Sequence, residues 1–88
     1  MESKKITVKT KIGLHARPAA LFVQTAGKFL SDIFVEKGDK KVNAKSIMGI
    51  MALGVAYGDE IIISANGDDE KKAVNDLVDL LQNKLVKE

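Results

Sequence analysis

A chain of 88 residues, 45% hydrophobic and 30% charged, has room for one hydrophobic core and one domain over residues 1–88, with little margin. It contains no cysteine and one histidine, which excludes disulfides and thiolate zinc sites and argues against a histidine-based metal centre; no cofactor is expected. A net charge of +2 is too small to demand a nucleic-acid partner, and no apolar run approaches the roughly 20 residues of a membrane span.

Residues 1–5 lead directly into an alternating pattern rather than an apolar signal core, so a cytoplasmic protein is expected. Residues 4–9 alternate, with Ile6 and Val8 on one face and Lys5, Thr7 and Lys9 on the other, which predicts a half-buried strand. Lys4, Lys5, Lys9 and Lys11 crowd this end and read as a solvated strand face. A loop over residues 10–13 follows. From Ala16 the period changes: Ala19, Phe22, Val23 and Ala26 form one helical face directed at a core. Pro18 fits only in the first turn, where its missing N–H has no partner to lose. Gly27 is the expected helix stop, with Phe29 and Leu30 closing over the core edge. Arg17, Ala20, Gln24 and Gly27 make a second stripe that the core does not need.

Residues 31–37 predict a strand with Ile33 and Val35 inward, Gly38-Asp39 a two-residue turn, and residues 40–43 a return strand with Val42 inward. Phe34 points to the other face as a lone exposed aromatic. Ser46 is placed to cap a short helix over residues 47–53, in which Gly49 costs about 1 kcal/mol relative to alanine. Ile50 and Leu53 satisfy the core, leaving Ile47, Met48 and Met51 on another side. Gly54 and Gly58 bound a loop carrying Tyr57, expected at its edge with the hydroxyl in water. Residues 60–66 form the last strand, with Ile61, Ile63 and Ala65 inward. Asp68 or Asp69 then caps a final helix whose stripe runs through Ala73 or Val74, Leu77, Leu80 or Leu81, and Leu85, with Lys84 and Lys87 near its end. The order β-α-β-β-α-β-α fits an α+β open-faced two-layer sandwich, a four-stranded antiparallel sheet covered on one face by three helices.

The three helix starts differ. The last is acidic, as the helix dipole favours, whereas the first presents His15 and Arg17 and the second Lys45 and Ser46. The missing partner at the first is an anion, since helix N-termini receive phosphate readily. The same field lowers a histidine pKa, and a neutral imidazole can take up a phosphoryl group and hand it on while the Arg17 fork braces its oxygens. The competing reading is a surface histidine at a loop end. Ser46 is either an ordinary cap or a phosphorylation site, and Ile47, Met48 and Met51 are either core or a docking patch in which flexible methionines adapt to several partners.

The segments Gly13-Leu14-His15-Ala16-Arg17-Pro18-Ala19 and Lys45-Ser46-Ile47-Met48-Gly49-Ile50-Met51 closely resemble HPr, the histidine-containing phosphocarrier of the bacterial phosphoenolpyruvate-dependent sugar phosphotransferase system. The resemblance covers essentially the whole chain. It implies that enzyme I phosphorylates His15 on Nδ1, with Arg17 supporting the phosphoryl group, and that an enzyme IIA then receives it. Both partners dock on a face mapping to Arg17, Ala20, Gln24, Gly27, Ile47, Met48 and Met51. The serine motif resembles the Gram-positive version, in which an HPr kinase/phosphorylase modifies the residue matching Ser46 with ATP. That form accepts phosphate poorly from enzyme I and serves as corepressor for a catabolite control transcription factor. Gly27 and Tyr57 depart from the commoner pattern, and Gly27 lies on the docking stripe.

The expectation is therefore a monomeric phosphoryl carrier rather than an enzyme, without direct nucleic-acid binding or membrane insertion. A regulatory paralogue acting through Ser46 alone is the alternative, though such a protein has no need of His15. A nucleic-acid-binding domain ranks last, because its sheet face would carry only Phe34 for base stacking.

Overall fold

Four strands form in the computed structural model, which describes residues 1–9 and 16–84. These are β1 (Glu2–Thr7), β2 (Asp32–Lys37), β3 (Lys40–Asn43) and β4 (Glu60–Asn66). They form one antiparallel sheet in the order β1-β4-β2-β3. The register aligns Ile6 with Ile61, Ile33 with Ala65, and Val35 with both Ile63 and Val42, so one face presents a continuous apolar row.

Helices α1 (Ala16–Ala26), α2 (Ile47–Leu53) and α3 (Glu70–Asp79) cover that face, and α3 runs on into a π-helical turn at Leu80–Lys84. The expected open-faced sandwich is what forms. Phe22 from α1, Ile50 from α2 and Leu77 from α3 meet Ile33, Val35, Ile61 and Ile63 in a core from which water is excluded. Val8 is buried with them, although β1 runs Glu2–Thr7 rather than over residues 4–9. Among the described residues no helix is long and apolar enough to cross a membrane.

Several expectations need correction. Leu30 does not close over the core; it is 88% exposed, and Phe29 alone turns inward. Gly27 does follow the end of α1 at Ala26 as expected, but its φ is not positive, so it closes the helix without a left-handed turn; its N–H still donates to the Val23 carbonyl, and α1 unwinds through turn bonds at Lys28 and Phe29. Phe34 lies on the outer sheet face as expected, but it is half-buried beneath Lys41, whose Nζ stands 4.8 Å from the ring centroid. Where spacing left Ala73 or Val74 and Leu80 or Leu81 as alternatives, all four are buried; the wider π turn brings both adjacent leucines inward. Leu85, Lys87 and the loop over residues 10–13 lie outside the described residues.

The start of α3 also differs in its bonding. Asp69 holds the N-cap position but makes no capping bond within its own helix. Its carboxylate instead accepts the backbone N–H groups of Leu30 and Ser31, at 2.9 and 3.0 Å, and the Ser31 hydroxyl. Those donors, the Ser31 hydroxyl foremost, hold the Asp69 pKa below its ordinary value. Glu70 takes over near the helix start, accepting the Gly67 N–H at 3.1 Å and pairing with the α-amino group of Met1. Gly67 is required by proximity: a Cβ there would lie 2.7 Å from the Ser31 Cα.

Candidate functional site: the exposed faces of α1 and α2

Pro18 and Ala19 are buried and fix the first turn of α1 against the core, while Arg17 stays exposed and no acid stands in that turn. The stripe from the sequence is visible along the same helix: Gln24 and Gly27 are exposed and Ala20 is partly so. His15 lies outside the described residues, so the relation of its ring to Arg17 is not part of this geometry.

α2 packs against α1 and β3, and its start is set by a chain of short-range bonds. The Asn43 side-chain oxygen accepts the Lys45 N–H at 2.8 Å, and the Asn43 carbonyl accepts the Ser46 N–H at 3.1 Å. Between them Ala44 is buried and donates to the Ile33 carbonyl at 2.8 Å. Lys45 reaches back across the fold, its Nζ donating to the Phe29 carbonyl at 2.8 Å. Ser46 is the N-cap as expected: its backbone is extended, and its Oγ accepts the Gly49 N–H at 3.1 Å.

With Ile50 and Leu53 buried, the rest of α2 faces outward. Ile47 is 38% exposed, Met48 78% and Met51 47%, so the triplet is surface rather than core. It forms an exposed apolar patch beside Ser46, on a helix that packs against α1. Tyr57 stands at the loop edge, 65% exposed.

One part of this surround had no sequence signal. Lys37, at the end of β2, pairs with Asp59 at 2.9 Å and donates to the Gly54 carbonyl at 2.7 Å, just past the end of α2. Asp59 also accepts the Ala56 N–H, and the Lys37 bond followed by that N–H lowers its pKa. Gly58 and Asp59 in turn bond the backbone of Val8, tying the loop after α2 to the end of β1. The partners are far apart in sequence, and neither residue type nor local spacing marks them. Among the described residues, no group of three or more histidine, cysteine or acidic side chains is placed to hold a metal.

Comparison with known proteins agrees with this arrangement over nearly the full chain. The family model for the phosphorylation site of the phosphotransferase-system HPr component matches residues 2–83. The HPr-like protein Crh of Bacillus subtilis (strain 168) is 52% identical over 85 residues, covering 97% of this chain and 100% of that protein. The crystal structure of HPr-C-His from Thermoanaerobacter tengcongensis is 61% identical, covers 100% of this chain and 99% of its own, and superposes with a TM-score of 0.95. A crystal structure of an HPr dimer from the same organism is 62% identical, covering 97% and 98% of the two chains, with a TM-score of 0.77. The extent of the family match, together with an open-faced sandwich that superposes end to end on HPr, shows that this chain belongs to the HPr family of phosphocarrier proteins.

Proposed function

We propose that this protein accepts a phosphoryl group from phosphorylated enzyme I on Nδ1 of His15 and passes it to the enzyme IIA of sugar transporters. Arg17 supports the phosphoryl oxygens at the acid-free start of α1. Ala20, Gln24 and Gly27 on α1, with Ile47, Met48 and Met51 on α2, receive both partners in turn. The observation that carries the reading is the exposed apolar triplet of α2, on a helix packed against α1, whose own stripe is exposed, in a chain of this family. Flexible methionines suit a face that serves unlike partners.

Ser46 supplies regulation. An HPr kinase/phosphorylase transfers phosphate to it from ATP, which sets a charge of about −1.5 to −2 beside the docking patch. An approaching partner must then desolvate that charge, and one with acidic groups meets repulsion as well. The modified form accepts phosphate poorly from enzyme I and acts as corepressor with a catabolite control transcription factor. The protein works in the cytoplasm as a monomer.

Incubation with enzyme I and labelled phosphoenolpyruvate tests the carrier. Wild type is expected to take up acid-labile, base-stable label, His15→Ala none, and Ser46→Asp label at a sharply reduced rate. Normal labelling of His15→Ala would mean that the acceptor is another residue. A second reading, regulation through Ser46 without transfer, is favoured by the 52% identity to Crh, whose solution structure is that of the Bacillus subtilis catabolite repression HPr. It predicts no enzyme I label on wild type and kinase-dependent label at Ser46.

A further inference from the structure

Gly49 sits in the interior of α2, where glycine disfavours the helix, and its φ is not positive, so no special backbone conformation calls for it. What it leaves is clearance. A Cβ at this position would lie 3.3 Å from the Ser46 Oγ, 3.4 Å from the Ser46 Cβ and 3.4 Å from the Val42 Cβ. The N–H of the same residue donates to that Oγ at 3.1 Å. Ser46 cannot easily retreat, because the turn over residues 43–46 is tied to Ile33, Phe29 and its own Asn43.

We infer that Gly49 is a positioning residue for phosphoryl transfer to Ser46: its N–H orients the hydroxyl oxygen, and its missing side chain keeps one flank of that oxygen open. The inference rests on the proposed modification of Ser46. In that step the Ser46 Oγ attacks the γ-phosphorus of ATP. The new Oγ–P bond forms as the bond from that phosphorus to the β–γ bridging oxygen breaks. ADP departs with the electron pair, and the hydroxyl proton passes to a base of the kinase. A methyl group 3.3 Å from Oγ, inside ordinary van der Waals contact, crowds the incoming phosphorus and its three outer oxygens. It leaves the Gly49 N–H in place, and its close contacts are with Ser46 and Val42 while Met48 and Met51 stand exposed. The obstruction therefore falls on the transfer step rather than on docking.

The test compares wild type, Ser46→Ala and Gly49→Ala, each as the full chain, as substrates of HPr kinase/phosphorylase and ATP. Wild type should be labelled and Ser46→Ala should not. Gly49→Ala should show kcat reduced by about tenfold or more, as small misplacements of reacting groups do. Its KM should stay within about twofold of wild type, and its labelling by enzyme I should be unchanged. Equal kcat for Gly49→Ala and wild type would overturn the inference while leaving the Ser46 reading intact. A raised KM for both kinase and enzyme I would also overturn it, because the glycine would then serve the packing of α2 on Val42. Absence of label on wild type would remove the Ser46 reading and this inference with it.

Discussion

At Ser46 one hydroxyl oxygen both closes the start of α2 and stands partly exposed beside Ile47, Met48 and Met51. Removing that oxygen leaves the Gly49 N–H without its cap, so Ser46→Ala should lower unfolding stability by about 1 kcal/mol. Urea denaturation measures this directly, and an unchanged midpoint would show that water replaces the cap at no cost. The capping role was legible in the sequence because donor and acceptor are three residues apart. Asp69 behaved otherwise. Its residue type and position before a helix announced a cap, but its carboxylate is used by Leu30 and Ser31, nearly forty residues away. Nothing local could have shown that competition.

At the scale of elements, α2 is a short helix with two faces that carry separate requirements. Ile50 and Leu53 attach it to the core, while Met48 is 78% exposed and contributes little to folding. Met48→Lys should therefore leave Tm nearly unchanged, since exposed substitutions stay within about 0.5 kcal/mol. In the enzyme I transfer assay it should raise KM about tenfold, the cost of losing one apolar anchor. A normal KM would take Met48 off the docking face. In the other direction, Leu77 on α3 is completely buried in the core, and Leu77→Ala should cost about 2–5 kcal/mol by denaturant unfolding. A loss below about 1 kcal/mol would mean the core closes over the gap. Helical periodicity revealed these faces correctly for α1, α2 and α3. Gly27 marked the end of α1 at Ala26, although the chain leaves α1 through turn bonds rather than through a left-handed glycine.

At the scale of the molecule, three carboxylates join distant parts of the chain, and each has a depressed pKa. Asp69 holds the loop before β2 to the start of α3, Glu70 holds the α-amino group and Gly67, and Asp59 holds Lys37 and Ala56. A depressed folded pKa stabilises fully above the unfolded value, about 4 for these groups, and that stabilisation is lost as pH falls through the folded values. Tm should accordingly change little from pH 7 to about 5 and fall progressively below that. Asp69→Asn should start lower at neutral pH and show a shallower acid decline. A decline parallel to that of wild type would exclude Asp69 from the acid response. The oligomeric state belongs to this scale too: the relative solved as a dimer makes sedimentation velocity the appropriate check on the monomer, and a concentration-dependent second species would correct it.

The sequence by itself determined the periodicities, and through them the order β-α-β-β-α-β-α, the inward faces and the caps whose partners lie within one turn. Two motifs at the first and second helix starts also determined the family, because residue type and local spacing carry that signal. The sheet order β1-β4-β2-β3, the exposure of Leu30, the shelter of Phe34 under Lys41 and the links through Asp69 and Asp59 were decided only by the tertiary structure. Each of these depends on groups brought together from distant positions, where many donors and apolar surfaces compete for the same partner. Local spacing contains no record of which one wins.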